Sequence, residues 1–428
     1  MSLLPKHPLV KFFSSFALAT TVLSLLLLIT FLGTVEQTEH GLFESQAKYF
    51  ESWFIWSIDV GCVLRAMHVP YTTAWEMPIL MPGGLLLMIL LGINMLVGGI
   101  LRLEKELSWL VALVCWPVKA LRKPLTPVPH RIGILIAHMS IVAMLAAGLV
   151  SMIAKEEGAM RITEGSTNDE FQSFHHSAIE IEKLKPAPSG RRHSLLIDDS
   201  YFKDLTSGKG RTFTHKDMPF ELMVYNYALN AAPLPHREQE VKNEVVDGYY
   251  LQSLKEELEQ EKNGDACYVK VTLKDGSTAT GILWRWSSEP FTIKVGEEEY
   301  GISLNRRSWK LPFAVRLDKF IHEVHAGTMR AREFTANVAV IESGKEHIRP
   351  ITMNDPLRRA GYALFQSGFD PGAESRGSKP STTLQVVSNP SDHWPLISTI
   401  TAGIGLGIHM VWQLLRYLRK ASVRPQNA

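Results

Sequence analysis

The sequence has few cysteines and no catalytic signature motif. Cys62, Cys115 and Cys267 lie far apart and form no CxxC pair, so a metal ribbon, a redox dithiol and a disulfide framework are not expected. A glycine-rich phosphate loop, an HExxH helix and a nucleophile elbow are also missing. The formal net charge of +2 predicts no nucleic-acid partner. These absences leave no residue to which catalysis can be assigned.

Charged residues are also scarce in four long apolar stretches. These stretches cover residues 12–35, 79–101, 132–153 and 394 to about 415, and each approaches the ~20 residues that a helix needs to cross a bilayer. The first is too long for a secretory signal and is not followed by a small-residue cleavage site. The sequence therefore predicts an integral membrane protein with four transmembrane α-helices.

The rest of the chain divides around these helices. Residues 1–154 form a membrane region with three helices and interfacial segments, and residues 394–428 form the fourth helix and a short tail. Between them, residues 155–393 have the charge and turn content of a water-exposed domain. We expect a large extracytoplasmic domain between the third and fourth helices.

Basic residues predict the orientation of the helices. They cluster before the first helix, between the second and third helices, and after the fourth, whereas the loop after the first helix is acidic. The positive-inside rule then places both termini in the cytoplasm and the large domain outside. In a bacterium this corresponds to a multi-pass protein of the inner (cytoplasmic) membrane with a domain on its outer, periplasmic side.

The large domain is predicted to be mainly β. Short runs rich in β-branched and aromatic residues alternate with turns, and KDGS at residues 274–277 is typical of a hairpin. A sandwich or an open barrel would both fit this pattern. The charged segment at residues 249–262 is the exception, because a narrow leucine stripe there predicts a helix.

Two histidines stand out because they lie within the predicted membrane helices. His138 is about six residues inside the third helix and His409 about six residues inside the fourth, counted from the same side of the membrane. An ionisable side chain in a bilayer is costly and usually faces a helix interface or a cavity. One interpretation is hydrogen bonding between helices, and the other is coordination of a metal or haem iron by neutral imidazole.

Other polar and aromatic residues of the membrane region have simpler interpretations. Asn94, in the second helix, is expected to hydrogen-bond between helices. Trp53 and Trp56 are expected on a short interfacial helix, and with Trp75 they would anchor the chain at the membrane surface. An aromatic external surface could also hold a flat apolar cofactor.

Several stretches resemble ResB-type (also called CcsB) cytochrome c biogenesis proteins. They are LGTVEQTEHGLFESQAKYF, PFAVRLDKFIHEVHAGTMRAREFTANVAV, ITMNDPLRRAGYALFQSGFDP and TTLQVVSNPSDHWPLI, the last leading into the histidine-bearing final helix. The resemblance is densest at residues 32–54 and 312–410. It implies a subunit of the system II cytochrome c synthetase, an accessory subunit with no catalytic constellation of its own.

The resemblance also implies a substrate and partners. Haem b would be handled transiently as the substrate, carried across the membrane and presented to apocytochrome c with a ResC/CcsA-type membrane protein. His138 and His409 match the family's candidate haem-iron ligands. The family pattern favours pairing of each, or of one, with a histidine of the partner over a His138–His409 pair on one haem within this chain. Attachment needs reduced cysteine thiols, so a thiol-reducing protein is a further expected partner.

Two other expectations concern the ITMNDPLRRAGYALFQSGFDP stretch of the predicted β-domain and an alternative function of the chain. Pro356 and Gly361 are expected to shape a turn, and Gln366 to pin the domain to the membrane base. The alternative function is a membrane-anchored extracytoplasmic ligand-binding or scaffold protein that does not handle haem. Haem absorbance of the purified protein distinguishes the two.

Overall fold

The computed structural model describes residues 7–70, 75–114, 129–184, 194–206, 208–236, 243–328, 330–370 and 379–423. Two compact units make up the chain. The helical unit comprises Met1–Lys155 and Asn389–Ala428, and the β-domain comprises Glu156–Ser388. Cys115 and residues 116–128 of the predicted basic connection before the third helix lie outside the described residues.

The helical unit contains three helices that are long and apolar enough to cross a membrane. These are Phe16–His40, Ile132–Ala154 and Trp394–Arg419 of a longer terminal helix. The described helices are α1 (Pro8–Phe13), α2 (Phe16–His40), α3 (Leu42–Tyr49), α4 (Val60–Ala66), α5 (Gly84–Asn94), α6 (Glu104–Val114), α7 (Ile132–Ala154) and α8 (Trp394–Val423).

The second predicted span, residues 79–101, differs from the expected single helix. It opens in strand β2 (Glu76–Pro82), continues as α5 and ends as a π-helix, Met95–Ile100. Pro78 and Pro82 have no amide hydrogen to donate to a helix, which favours the strand. Beyond the π-helix the chain bends by 89° towards α6. By length and composition, the described residues therefore contain three helices able to cross a membrane, or four if the bent pair is one span.

The expected interfacial helix around Trp53 and Trp56 is a β-hairpin. Strand β1 (Phe54–Asp59) pairs with β2 in antiparallel register. Ile55 and Ile58 are buried against α2 and α5, while Trp56 is 71% exposed. Burial alternates over Phe54, Ile55 and Trp56 as in a strand, and the register shift between Ile55 and Ser57 interrupts this two-residue period before Ile58. The aromatic clustering in the sequence obscured this pattern.

Helices α7 and α8 pack through small residues. A methyl group on Gly133 would lie 2.4 Å from the carbonyl oxygen of Gly405, and one on Gly405 would lie 2.8 Å from the backbone nitrogen of Ala137. Further along, the Ser391 hydroxyl donates to the carbonyl of Ala147 at 2.9 Å. Glycine and alanine thus let the two backbones touch, as small residues do in membrane helix pairs.

The β-domain is mainly β, as the sequence predicted. Its strands are β3 (Glu156–Thr163), β4 (Thr167–Lys183), β5 (Ser194–Asp198), β6 (Gly210–Phe213), β7 (Phe220–Ala228), β8 (Ala231–Pro235), β9 (Tyr249–Ser253), β10 (Ala266–Leu273), β11 (Thr278–Trp284), β12 (Phe291–Val295), β13 (Glu298–Val324), β14 (Ala331–Glu342), β15 (Lys345–Thr352), β16 (Leu357–Arg359), β17 (Tyr362–Asp370) and β18 (Ser381–Ser388). The KDGS turn joins β10 to β11 as expected, with Gly276 at φ +86°.

Two long strands hold this domain together. The largest sheet has the order β15-β14-β13-β4-β3-β18-β17-β16, and a second sheet has the order β11-β10-β7-β6. β4 and β13 contribute to the two largest hydrophobic clusters of this domain, one around Ile179 and Ile302 and the other around Phe171 and Leu317. The strands next to the helical unit in sequence, β3 and β18, pair side by side from Glu156 and Ser388 onward.

The predicted charged helix at residues 249–262 is wrong. The segment begins as β9, which pairs with β8, and only Gln260–Lys262 forms a single 3₁₀ turn. Leu251 is buried and its amide donates to the Tyr268 hydroxyl at 2.8 Å, whereas Leu254 and Leu258 are exposed. The pairing of the aromatic start of this segment with strand β8 therefore outweighs the weak helical preference of its leucine stripe.

Candidate functional site

His138 lies on α7 with one ring nitrogen held by its own helix. Its Nδ1 is 2.9 Å from the carbonyl oxygen of Ile134. A carbonyl only accepts hydrogen bonds, so Nδ1 carries a proton, and in the tautomer that makes this bond the lone pair is on Nε2. The ring packs against the π-helix, where a methyl group on Gly99 would lie 2.8 Å from Cδ2 of His138. Gly99 therefore makes room for the imidazole.

His409 lies on α8 in a different environment. Its Nδ1 is buried and has no hydrogen-bond partner among the described residues. Its Nε2 is 3.5 Å from the side-chain nitrogen of Gln413, one turn along the helix. An unsatisfied buried ring nitrogen is costly, so this histidine is only partly accommodated by the chain itself.

The two histidines lie on different parts of the helix pair. The backbone of His409 is level with Gly133, because a methyl group there would lie 2.7 Å from the His409 nitrogen. His138 is five residues further along α7, about 7.5 Å in axial rise and about 140° around the helix. His138 and His409 are therefore offset along the helix pair. His138 faces the π-helix, whereas α8 covers the Gly133 face.

Asn94 has the hydrogen-bonding role that the sequence predicted. Its side-chain nitrogen donates to the carbonyl oxygens of Phe13 and Ser15 at 2.7 and 3.0 Å. These carbonyls lie at the break between α1 and α2, where Phe13 ends α1 and the Ser15 carbonyl also accepts from the Ala19 amide at 3.4 Å. The amide thus ties the end of α5 to the start of the first long helix.

A buried polar network at the His40 end of α2 was not anticipated from the sequence. Glu36 is 5% exposed and accepts hydrogen bonds from the Lys48 ammonium and the Tyr49 hydroxyl. Burial, reinforced by the neighbouring Glu36 carboxylate, raises the pKa of Tyr49. The spacing of Glu36, Glu39 and His40 places these residues along one end of a helix, and this was the sequence signal that could have revealed the network.

The network continues across to β1 and α4. Arg65 donates to both carboxylate oxygens of Glu39 at 2.7 and 2.5 Å and lies 3.7 Å from Asp59, which in turn is 3.3 Å from His40. Burial opposes ionisation of Asp59, but the Cys62 amide, His40 and Arg65 together hold the pKa of its carboxyl below the ordinary value.

Metal coordination is one arrangement that this network permits. Glu39, His40 and Asp59 each offer a ligand atom within 4.8 Å of the others. However, Arg65 already occupies both oxygens of Glu39. Since the guanidinium supplies the compensating positive charge, the geometry supports a structural ion-pair network.

The described cysteines, Cys62 and Cys267, are both buried. Burial, together with the negative charge of Glu39, raises the pKa of Cys62 to about 11, and burial likewise raises the pKa of Cys267. Because the thiolate is the nucleophile, neither thiol is suited to exchange at neutral pH.

Gly361 lies in the turn between β16 and β17 as expected, and Pro356 directly precedes β16, but Gln366 does not have the expected role. Gly361 has φ +83° between β16 and β17. The Gln366 side chain donates to the carbonyl of Gly368 at 2.8 Å and accepts from the Thr382 hydroxyl at 3.0 Å. These partners lie within the β-domain and stabilise the bulge at Gln366–Gly368 between β17 and β18, so the expected pin to the membrane base is wrong.

Comparison with known proteins identifies a family for part of the β-domain. Residues 276–381 match the model of the ResB-like family. This segment runs from the β10–β11 turn to the start of β18 and covers about a quarter of the chain. No curated protein matches the sequence. The match confirms the resemblance to ResB/CcsB-type proteins and indicates a role in cytochrome c biogenesis.

Proposed function

We propose that this ResB-like chain is a haem-handling subunit of a system II cytochrome c maturation assembly. With a ResC/CcsA-type membrane partner it would carry haem across the membrane and present it to apocytochrome c. The chain would bind and position haem, while the covalent attachment takes place on the assembled complex.

The state of His138 is the observation that carries this proposal. A histidine whose Nδ1–H is held by a backbone carbonyl, with a free lone pair on Nε2, has the arrangement that metal-bound histidines adopt. The half-buried ring lies between α7 and the π-helix, in a part of the molecule that is apolar. Haem is itself largely apolar, and its iron takes histidine as an axial ligand.

The separation of the two histidines supports a shared site with the partner. His138 and His409 contact different neighbours and are offset by about five residues along the helix pair. A single iron would need both imidazoles on opposite sides of one haem plane. We therefore propose that each histidine of this chain that binds haem pairs with a histidine of the partner.

The β-domain would contribute binding surface. We propose that it docks apocytochrome c or braces the partner, with reduced client thiols supplied by a separate thiol-reducing protein. The two cysteines that the structure describes, Cys62 and Cys267, are buried, so they are poorly placed to reduce the client themselves.

Optical spectroscopy of the purified chain tests the proposal. The wild type, His138→Ala and His409→Ala would each be purified in mild detergent, alone and co-expressed with a ResC-type partner. We expect a low-spin bis-imidazole spectrum with the partner and its loss in His138→Ala. His130→Ala is the control, because His130 is exposed and lies just before the start of α7.

Two results would count against haem handling. One is the absence of haem from every preparation while both substituted proteins still support cytochrome c maturation. The other is an unchanged spectrum in both variants. Either result would leave the alternative of an anchored scaffold protein that does not handle haem.

A further inference from the structure

A small cavity lies at the His40 end of α2, between this helix and α3. Its volume is ≈ 230 Å³, and its polar lining consists of Thr34, Gln37, Ser45 and Gln46. The remaining lining residues are apolar or glycine. The cavity is smaller than the roughly 300–1,000 Å³ of pockets for cofactors and drug-sized ligands, so it fits a headgroup and excludes a porphyrin.

One polar group in this cavity has no partner. Ser45 is 3% exposed, and its hydroxyl forms no hydrogen bond among the described residues. A buried hydroxyl without a partner costs free energy, and a helical serine can usually bond to the carbonyl four residues earlier. Ser45 is one of the residues that line the cavity, so a bound group that approaches it there could satisfy the hydroxyl.

An exposed apolar stripe leads to the cavity along α2. Leu23, Leu27 and Phe31 are each more than half exposed. They are four residues apart on α2, and Thr34 follows three residues after Phe31, so the four side chains lie on one face of the helix. Because α2 is long and apolar enough to cross a membrane, this stripe suits contact with a lipid acyl chain. A polar cavity at the end of an apolar stripe has the amphiphilic pattern of a lipid molecule.

The charge of the lining restricts the headgroup. All the residues that line the cavity are neutral, whereas anionic headgroups are recognised by clusters of lysine and arginine. Gln37 offers an amide donor and an amide acceptor, and Gln46, whose side-chain nitrogen also donates to the Glu51 carboxylate at 2.9 Å, offers its amide oxygen. We propose that the cavity binds the zwitterionic headgroup of one glycerophospholipid, of about ethanolamine size, with an acyl chain along Leu23, Leu27 and Phe31.

Lipid retention measured by mass spectrometry tests this site. The full chain would be reconstituted in vesicles of equimolar phosphatidylethanolamine and phosphatidylglycerol, purified in mild detergent and washed exhaustively. We expect about one phosphatidylethanolamine per chain in the wild type and at least a fivefold loss in Ser45→Val, which removes the hydroxyl. Ser45→Ala provides a second, less disruptive variant.

A matched pair of threonine variants separates this site from general lipid contact. Thr34 and Thr20 are both exposed on α2, and each hydroxyl donates to the carbonyl four residues earlier. Thr34→Leu would fill the cavity and release the lipid, whereas Thr20→Leu would retain it. Equal retention in all four variants, equal retention of the two lipids, or no lipid in a folded wild type would each overturn the proposal.

Discussion

Gly133 lies directly against the backbone of His409, at a distance that admits no side chain. A methyl group on Gly133 would lie 2.7 Å from the His409 nitrogen and 3.1 Å from its Cβ. The position of one candidate haem ligand is thus set by a glycine on the neighbouring helix. This contact links helix packing to the proposed function.

Gly133→Ala is expected to destabilise the helical unit by about 1–3 kcal/mol, because the backbones of α7 and α8 must separate. Thermal unfolding in detergent measures the change. Gly148→Ala on the same helix is the control, since nothing lies within 4 Å of its added methyl group. The control substitution should leave the stability of the helical unit unchanged or raise it by up to about 1 kcal/mol. Equal stability of the two variants would contradict the observed packing.

Lys48→Met is expected to cost about 2–3 kcal/mol, because it leaves the buried Glu36 carboxylate without its cation. The double variant Glu36→Leu with Lys48→Met should recover part of this loss, since no isolated charge remains. Lys270→Met provides an exposed lysine control. A double variant no more stable than Lys48→Met would show that the pair is not energetically coupled.

The stability contribution of Asp59 is expected to depend on pH. Its pKa is lower in the folded protein, so the folded state binds fewer protons than the unfolded state. The contribution is complete above the unfolded pKa of about 3.9 and is lost as the pH falls through the folded pKa. Asp59→Asn should therefore differ from the wild type in melting temperature at pH 7 and converge with it at strongly acidic pH.

The exposed carboxylate of Asp217 serves as the control for this titration. Asp217→Asn should melt like the wild type at both pH values. A difference between Asp59→Asn and the wild type that persists unchanged in acid would exclude the ionised carboxylate as its cause.

Trp56 is expected to contact lipid, because the β1–β2 hairpin joins α3 to α5 and presents this side chain outwards. Tryptophan favours the membrane–water interface. In nanodiscs of brominated lipid, Trp56→Phe should remove part of the quenchable fluorescence. Trp286→Phe, which changes a 52% exposed tryptophan of the β-domain, should not. Identical quenching in the two variants would argue against lipid contact at Trp56.

Hydrophobic periodicity and turn signals were sufficient to predict much of the architecture. The long apolar runs that became α2, α7 and α8 were recognisable because a bilayer-length helix needs about 20 consecutive apolar residues. The alternating runs of the β-domain and its KDGS turn were also clear. Asn94 was predictable as a hydrogen-bonding residue because a polar side chain among apolar ones needs a partner.

The sequence by itself determined which residues could carry the chemistry, since His138 and His409 are ionisable residues in apolar surroundings. Only the tertiary structure decided their relationship, because the register of α7 on α8 depends on where Gly133 and Gly405 meet. The same holds for Glu36, Lys48 and Tyr49, whose hydrogen bonds require α3 to fold back on α2. Local sequence patterns reveal the hydrophobic periodicity of each helix or strand. The distances between helices and strands depend on side chains that come into contact only when the chain has packed.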